Sequence, residues 1–156
     1  MTGDVREATE RSLLTTLSGE TIRNGYVLPA DFRLVTRDLK DPGDLQPGQL
    51  PACLLQVEEP QPVPMLAHIV QMTLPFRVIV QWSPDIDELP ASQANAFGVA
   101  VTRAILSDPS QGGYVDETFL QQSPVDALYV KAGLLQITVR FEMLYEYDPR
   151  REAVVS

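Results

Sequence analysis

A thiol and an imidazole are the two side chains of this sequence best suited to covalent chemistry. Cys53 is the only cysteine and His68 the only histidine, and a base beside a thiol can activate the sulfur as a nucleophile. Cys53 is followed by Leu54 and Leu55, however, and nothing near it in the sequence would lower its pKa. His68 stands in an otherwise apolar row. We therefore expect both side chains to be structural, and any site that needs two histidines is excluded.

Two groups of carboxylates have the ligand type that a divalent cation prefers. Asp85, Asp87 and Glu88 form the first group, and Asp116 with Glu117 forms the second. The first group precedes a predicted helix, whose N-terminal dipole favours negative charge without any cation. We expect neither group to bind a metal.

The glycine pair Gly112-Gly113 has the composition of a phosphate-binding loop but not its context. The pair follows a predicted helix and leads into a strand, whereas nucleotide-binding loops follow a strand and open a helix. We interpret the pair as a turn. The residues thus predict no enzyme activity, no catalytic residue and no cofactor.

Two amphipathic helices and two long strands are the elements that would position these residues. The helices are predicted over about 4–18 and about 89–107. Apolar residues at even positions of 66–82 and odd positions of 134–147 have the period of strands with one buried face. The first of these segments is either one long strand or two strands joined by a bend at Pro75, and if straight it would be about 56 Å long at roughly 3.3 Å per residue. Part of it is therefore expected to project beyond the body of the domain.

Shorter strands are predicted at 32–37, 52–57 and 114–120. Between the first two, 41–48 contains two Pro-Gly pairs, which mark turns. After 52–57, the segment 58–64 carries three prolines, which predict an exposed loop or a protruding arm because proline cannot donate to a strand ladder.

This succession of elements predicts the fold class. It contains no alternating βαβ repeat, so it favours an α+β domain with a mixed, mainly antiparallel β-sheet and two α-helices packed on one face. A chain of 156 residues is the size of one domain. We assign that domain to residues 1–148 and expect 149–156 to be a loose tail.

Composition excludes several classes of function. The formal net charge is -9 and no basic cluster exceeds the pair Arg150–Arg151, so direct DNA binding, which relies on Lys and Arg, is not expected. With 44% hydrophobic residues the chain should fold. No apolar run approaches the roughly 20 residues that cross a bilayer. The single cysteine allows no intrachain disulfide, as expected for folding in a reducing cytoplasm.

The order of these segments resembles the tail terminator family of long-tailed bacteriophages, also called tail-completion or minor tail proteins. The likeness covers nearly the whole chain. It comprises the N-terminal helix, the short inner strand 51–57, the long strand ending at 76–80, the helix closing on 105–108, the Gly112-Gly113 turn and the final strand 135–145.

The resemblance implies a structural virion protein without catalytic residues. Such a protein forms a homohexameric ring on the last ring of tail tube protein, ends tube polymerisation and presents a surface for head-to-tail joining to the connector and neck proteins. DNA would pass through the lumen without specific binding, and no membrane is involved. Localisation would be the head-proximal end of the virion tail, after synthesis in the host cytoplasm.

Two alternatives stay open beside the terminator. One is another phage neck or tail ring component, such as an adaptor or a tube-related protein. The other is a small cytoplasmic enzyme or ligand-binding domain using the sheet near His68 and Cys53. For the terminator, the loops are the candidate assembly contacts, with the residues Asp41, Gly43, Asp44, Gln46, Glu58, Glu59, Gln61 and Val63.

Overall fold

Two α-helices and seven strands are the main elements of the part of the chain that the structure describes. The structure is a computed structural model and describes residues 5–18, 32–37, 47–63, 70–83, 90–122, 128–131 and 134–147. The helices are α1 (Val5–Ser18) and α2 (Pro90–Leu106). The strands are β1 (Leu34–Thr36), β2 (Ala52–Val57), β3 (Gln61–Val63), β4 (Val70–Trp82), β5 (Glu117–Gln122), β6 (Leu128–Lys131) and β7 (Leu134–Tyr147).

The seven strands form one sheet with the order β1-β2-β4-β7-β5, in which β3 also pairs with β4 and β6 with β7. β1 runs parallel to β2, and the other pairs are antiparallel. The predicted fold class, an α+β domain with a mixed, mainly antiparallel sheet, is confirmed.

The two long strands are the centre of this sheet. β4 pairs with β7 along its entire length of 13 residues. On one side of the sheet, here called the inner face, Phe76 lies opposite Phe141 and Val78 opposite Val139, and the two phenyl rings stack with centroids 5.0 Å apart. All four side chains are buried, and each such burial stabilises the fold by about 1.5–3 kcal/mol. The alternation in the sequence predicted this face.

Side chains from both helices belong to the same buried cluster as the inner face. Leu13 and Leu17 of α1 are fully buried, four residues apart and thus on one side of the helix. In α2, the Phe97 ring lies 5.0 Å from Trp82 of β4. The predicted apolar stripe of α2 is buried throughout, at Ala94, Phe97, Val101, Ala104 and Ile105.

The opposite face of the sheet, here called the outer face, is buried at one end. Ile79 of β4 forms a second apolar cluster with Ala52 and Leu54 of β2. Beside it, the Gln81 amide donates a 2.7 Å hydrogen bond to Gln136. The expectation that only one face of the 66–82 strand is buried is therefore wrong at this end, because Leu34 and Leu50 pack against Ile79, Ala52 and Leu54 and form a second apolar layer.

Pro75 does not divide the long strand in two. β4 is continuous through it, and the Pro75 carbonyl accepts a 2.9 Å hydrogen bond from the Glu58 amide. Val57 pairs with Phe76 and Gln61 with Thr73, so one residue more lies on the β2–β3 side than on β4. This excess is a β-bulge, and the proline nitrogen, which has no hydrogen to donate, lies at the bulge. Residues 66–69 lie outside the described residues, so the projection stays a prediction.

Two short strands were not predicted. β3 pairs with β4 within the segment expected to be a loop or arm, so the expectation that its prolines block pairing is wrong there. Pro62 is accommodated because β3 is a three-residue strand on the side of β4 away from β7. β6 pairs with the start of β7, and its four residues are too short to show a period.

Candidate assembly surfaces

Half of the predicted contact residues lie where the structure describes the chain. Glu58, Glu59, Gln61 and Val63 follow one another along the bulge and β3, and all but the half-buried Val63 are exposed. The side chain of Glu59 is 90% exposed. The structure thus groups these four on one side of β4. The other four predicted residues, Asp41, Gly43, Asp44 and Gln46, lie outside the described residues.

Arginines surround the bulge and form its ionic contacts. Arg6 of α1 donates a 3.2 Å hydrogen bond to the Val57 carbonyl and lies 3.8 Å from Glu59. Arg140 of β7 lies 3.9 Å from Glu58. Ion pairs this exposed contribute about 0–1 kcal/mol each, so they add little to the stability of the fold.

A stronger ionic contact joins α1 to the end of β1. Both terminal nitrogens of Arg37 bind the Glu7 carboxylate, at 2.6 and 2.9 Å, and one also reaches Glu10 at 3.3 Å. The paired geometry is the strongest arrangement for arginine and a carboxylate. Hydrogen bonds from Arg37, its positive charge and the nearby Arg11 lower the pKa of Glu7 from 4.5 to about 2.

An open cleft of about 610 Å³ lies between α1 and β2, and we call it the β2 cleft. It is lined by the three arginines Arg6, Arg37 and Arg77, by Glu10 and Glu58, and by residues 55–57 of β2. β1 pairs with β2 only at residues 52–54. Among the described strands, none continues that pairing along 55–57, so the cleft runs beside an open backbone edge.

Positive charge at this cleft is incompletely matched. Arg77 of β4 stands directly opposite Arg140 of β7 on the outer face, an arrangement that like charges disfavour. Arg77 donates a 2.7 Å hydrogen bond to the uncharged Gln56. Arg140 reaches Glu58 only at 3.9 Å. Glu58, which also lines the cleft, is therefore the carboxylate that offsets part of this positive charge.

The other end of the sheet carries exposed apolar side chains on both of its sides, and we call this edge the β5 surface. It comprises Tyr114, Phe119 and Leu120, whose exposed fractions are 49%, 44% and 36%, together with the exposed carboxylates Asp116 and Glu117. β5 pairs with β7 on one side, and no described strand pairs with its other side. An open edge that carries large apolar side chains is normally covered.

A densely hydrogen-bonded turn fixes the β5 surface in place. The Asp108 carboxylate accepts bonds from the Ser110 hydroxyl at 2.9 Å and the Gly112 amide at 2.8 Å. The buried amide of Gln111 donates to the Ile105 carbonyl at 3.2 Å and to the Thr118 hydroxyl at 3.3 Å. Tyr114 is therefore presented by a constrained loop.

The same turn contains Gly112 and Gly113, with φ angles of 75° and 91°. These left-handed angles suit glycine. The interpretation of the pair as a turn is confirmed. Sequence reasoning did not identify the turn as the support of an aromatic surface, because the supporting side chain, Gln111, is not a typical turn residue.

The residues considered for chemistry are placed as follows. Cys53 is fully buried among apolar side chains, and this burial raises the pKa of its thiol, so the sulfur is held in its unreactive protonated form. His68, Asp85, Asp87 and Glu88 lie outside the described residues. Asp116 and Glu117 are exposed on the β5 surface.

Within the described ranges, no group of three or more His, Cys, Asp or Glu side chains is arranged to hold a metal ion. Neither described helix is long and apolar enough to cross a membrane.

Comparison with known proteins gives no assignment. The sequence matches no protein-family model, and a search of curated proteins returns no match. Any functional conclusion therefore rests on the resemblance in element order and on the surfaces described above.

Proposed function

We propose that this chain is a structural virion protein that caps a bacteriophage tail tube as a homohexameric ring. The observation that carries the proposal is the succession of elements that resembles the tail terminators: a helix, a short inner strand, a long strand, a helix ending before the Gly112-Gly113 turn, and a long final strand. In the ring, the protein ends tube polymerisation and offers a surface for head-to-tail joining.

The open edges of the sheet support a role in assembly. A tube end keeps adding subunits as long as it exposes its growth surface, because each new ring buries the same interface. A cap must cover that surface with a fitting partner and present a different surface outward. The exposed residues Glu58, Glu59 and Gln61 and the β5 surface are contacts available for such binding.

The charge of the chain supports a ring around DNA. A net charge of -9 repels phosphates, so a lumen lined by this protein would let DNA pass without adhering. Specific DNA contacts are no part of the proposed function, and neither is catalysis.

The test is deletion of the gene from the phage that carries it. We expect normal heads together with tail tubes of irregular, often excessive length that do not join heads, measured directly in electron micrographs of the lysate. Wild-type protein supplied from a plasmid is the control and should restore uniform tails. Uniform tails of wild-type length attached to filled heads in the deletion lysate would refute the terminator role.

Copy number is a separate test of the ring. Mass measurement on the native assembly, or a map of the virion neck, is expected to show six copies. A different number in the virion would contradict the proposed hexamer.

A further inference from the structure

The two halves of α1 are held to the rest of the domain in different ways. In the second half, Leu13 and Leu17 are fully buried in the apolar cluster of the inner face. In the first half, no described side chain of residues 6–12 belongs to an apolar cluster. We call residues 5–12 the α1 strap and residues 13–18 the α1 anchor. The anchor is held by apolar burial, and the strap is not.

Arginines make the ionic contacts of the α1 strap. Arg37, at the end of β1, binds the Glu7 carboxylate with both terminal nitrogens and also reaches Glu10. Arg6, within the strap, donates a hydrogen bond to the Val57 carbonyl of β2. The side chains of Arg37 and Arg6 are 30% and 33% exposed, so water competes for these contacts. They break more easily than the apolar contacts of the anchor.

The space beneath the α1 strap is not filled by packing. The β2 cleft of about 610 Å³ lies there, and the strap residues Arg6 and Glu10 line it. Thr9 is fully buried, and its hydroxyl has no hydrogen-bond partner among the described residues. An unpartnered buried hydroxyl disfavours the closed position of the strap. The cleft and Thr9 therefore both lower the free energy needed to lift the strap.

The α1 strap covers an edge of the sheet. The Glu58 amide donates to the Pro75 carbonyl of β4, and the Val57 carbonyl, in the same trans peptide unit, therefore points away from β4. β1 pairs with β2 only at residues 52–54 and does not reach this carbonyl, which Arg6 binds instead. Edge groups of this kind are a template for pairing with another chain.

We propose that the α1 strap opens as a unit while the α1 anchor and the sheet stay folded, and that the closed strap shields the β2 edge at Val57 from another chain. Arg37 is the positioning residue, because its contacts with Glu7 and Glu10 tie the strap to β1. Local opening of this kind requires less free energy than unfolding of the whole domain. The inference does not depend on the ring or on the terminator role.

Thiol labelling measures the opening. Thr9→Cys on a Cys53→Ala background places the only thiol beneath the strap. Cys53 of the otherwise unchanged chain lies in the core and reports on unfolding of the domain. Each maleimide labelling rate under native conditions is divided by the rate of the same thiol in urea. Trp82, the only tryptophan, is buried, and its fluorescence shows that each variant is folded.

We expect the thiol of Thr9→Cys to react at least about tenfold faster than that of Cys53, because it needs only the local opening. Equal normalised rates would overturn the proposal, since they would show that the strap opens only when the whole domain unfolds.

Removal of the Arg37 contacts tests what holds the strap. Adding Arg37→Gln to the Thr9→Cys/Cys53→Ala variant should raise the labelling rate about tenfold, since charge-assisted hydrogen bonds to Glu7 are lost. Arg33→Gln is the matched control, because Arg33 is exposed and its replacement removes the same charge from the same segment. Equal rates in these two variants, or an equal acceleration at Cys53 in an Arg37→Gln chain, would overturn the proposal.

Hydrogen exchange followed by NMR gives a second readout without any cysteine substitution. The amides of residues 9–12 bond carbonyls within the strap, four residues earlier, whereas the Leu17 amide belongs to the anchor. Arg37→Gln should accelerate exchange of the strap amides about tenfold and leave the Leu17 amide nearly unchanged. Uniform acceleration along α1 would overturn the proposal.

The shielding role has its own test in solution. An uncovered edge pairs with other chains, so Arg37→Gln should form species larger than the wild type as its concentration rises, measured by light scattering. Arg33→Gln is again the control and should match the wild type. If Arg37→Gln shows no more association than Arg33→Gln, the shielding role is refuted.

Discussion

Gln111 has a left-handed backbone conformation, and the hydrogen bonds of its side chain offset the energetic cost of that conformation. Its φ angle is 50°, in the left-handed region that costs a residue with a Cβ about 1–2 kcal/mol. The side chain is 1% exposed and bonds both the end of α2, at Ile105, and β5, at Thr118. One residue therefore holds helix, turn and strand together.

Replacement of Gln111 by alanine and by glycine separates the effect of the lost side-chain hydrogen bonds from the effect of the left-handed backbone. Both changes remove the side-chain hydrogen bonds, which costs about 1–3 kcal/mol where a buried partner is left unsatisfied, but glycine also relieves the left-handed strain. We expect Gln111→Ala to be the less stable variant by about 1 kcal/mol. Urea unfolding followed by Trp82 fluorescence measures the difference, and equal stability of the two variants would contradict the strain.

Cys53 offers a second test at the scale of one residue. Because the thiol is buried and its pKa is raised, we expect it to resist maleimide in the folded protein and to react at once in urea. Cys53→Ala should cost about 1 kcal/mol, in the range of a small deletion in a core. Fast labelling of the native protein would show that the thiol is accessible after all.

Sequence reasoning at this scale succeeded for burial and failed for backbone strain. The apolar neighbours of Cys53 predicted its buried state, and the Gly112-Gly113 pair predicted a turn. Gln111 carries no comparable signal, because a left-handed glutamine is imposed by the surrounding structure. The structural role predicted for His68 stays a prediction.

At the scale of elements, the contact between α1 and β1 should make stability depend on pH. The folded-state pKa of Glu7, about 2, lies below its ordinary value of 4.5. The contribution of the Arg37 pair is therefore complete above about pH 4.5, and it is lost progressively as the pH falls toward 2.

Glu7→Gln tests this dependence. The variant should be less stable than the wild type at neutral pH, and its stability should change less between pH 4.5 and 2, as measured by urea unfolding at each pH. Glu59→Gln is the control, because that side chain is 90% exposed and should leave the profile unchanged. An identical slope in Glu7→Gln and the wild type would contradict the assignment.

The helices and strands were predicted accurately where the hydrophobic pattern continues over many residues or where a clear boundary is present. β2 and β7 have the predicted bounds, and α2 differs by one residue at each end. β3 and β6 were missed because strands of three and four residues contain too few alternations. Their existence is decided by pairing with β4 and β7 rather than by their own composition.

At the scale of the whole molecule, the assembly surfaces were only partly predictable. Glu58, Glu59 and Gln61 were selected because their segment is rich in proline and acidic residues. The β2 cleft joins α1, β1, β2 and β4, and the β5 surface depends on which strand ends the sheet. Sheet order is a property of long-range pairing, which neither periodicity nor composition indicates.

The pairing of β4 with β7 joins two strands that are synthesised at different times. β4 leaves the ribosome well before β7, the last strand in the described chain, and no other described strand pairs with that edge of β4. During this interval Phe76, Val78 and Val80 lack the strand that completes their layer. Contacts between distant segments form slowly, and an unpaired apolar strand is prone to aggregate. Nascent chains should therefore need chaperone protection until β7 emerges, and slower translation after β4 should lower the soluble yield.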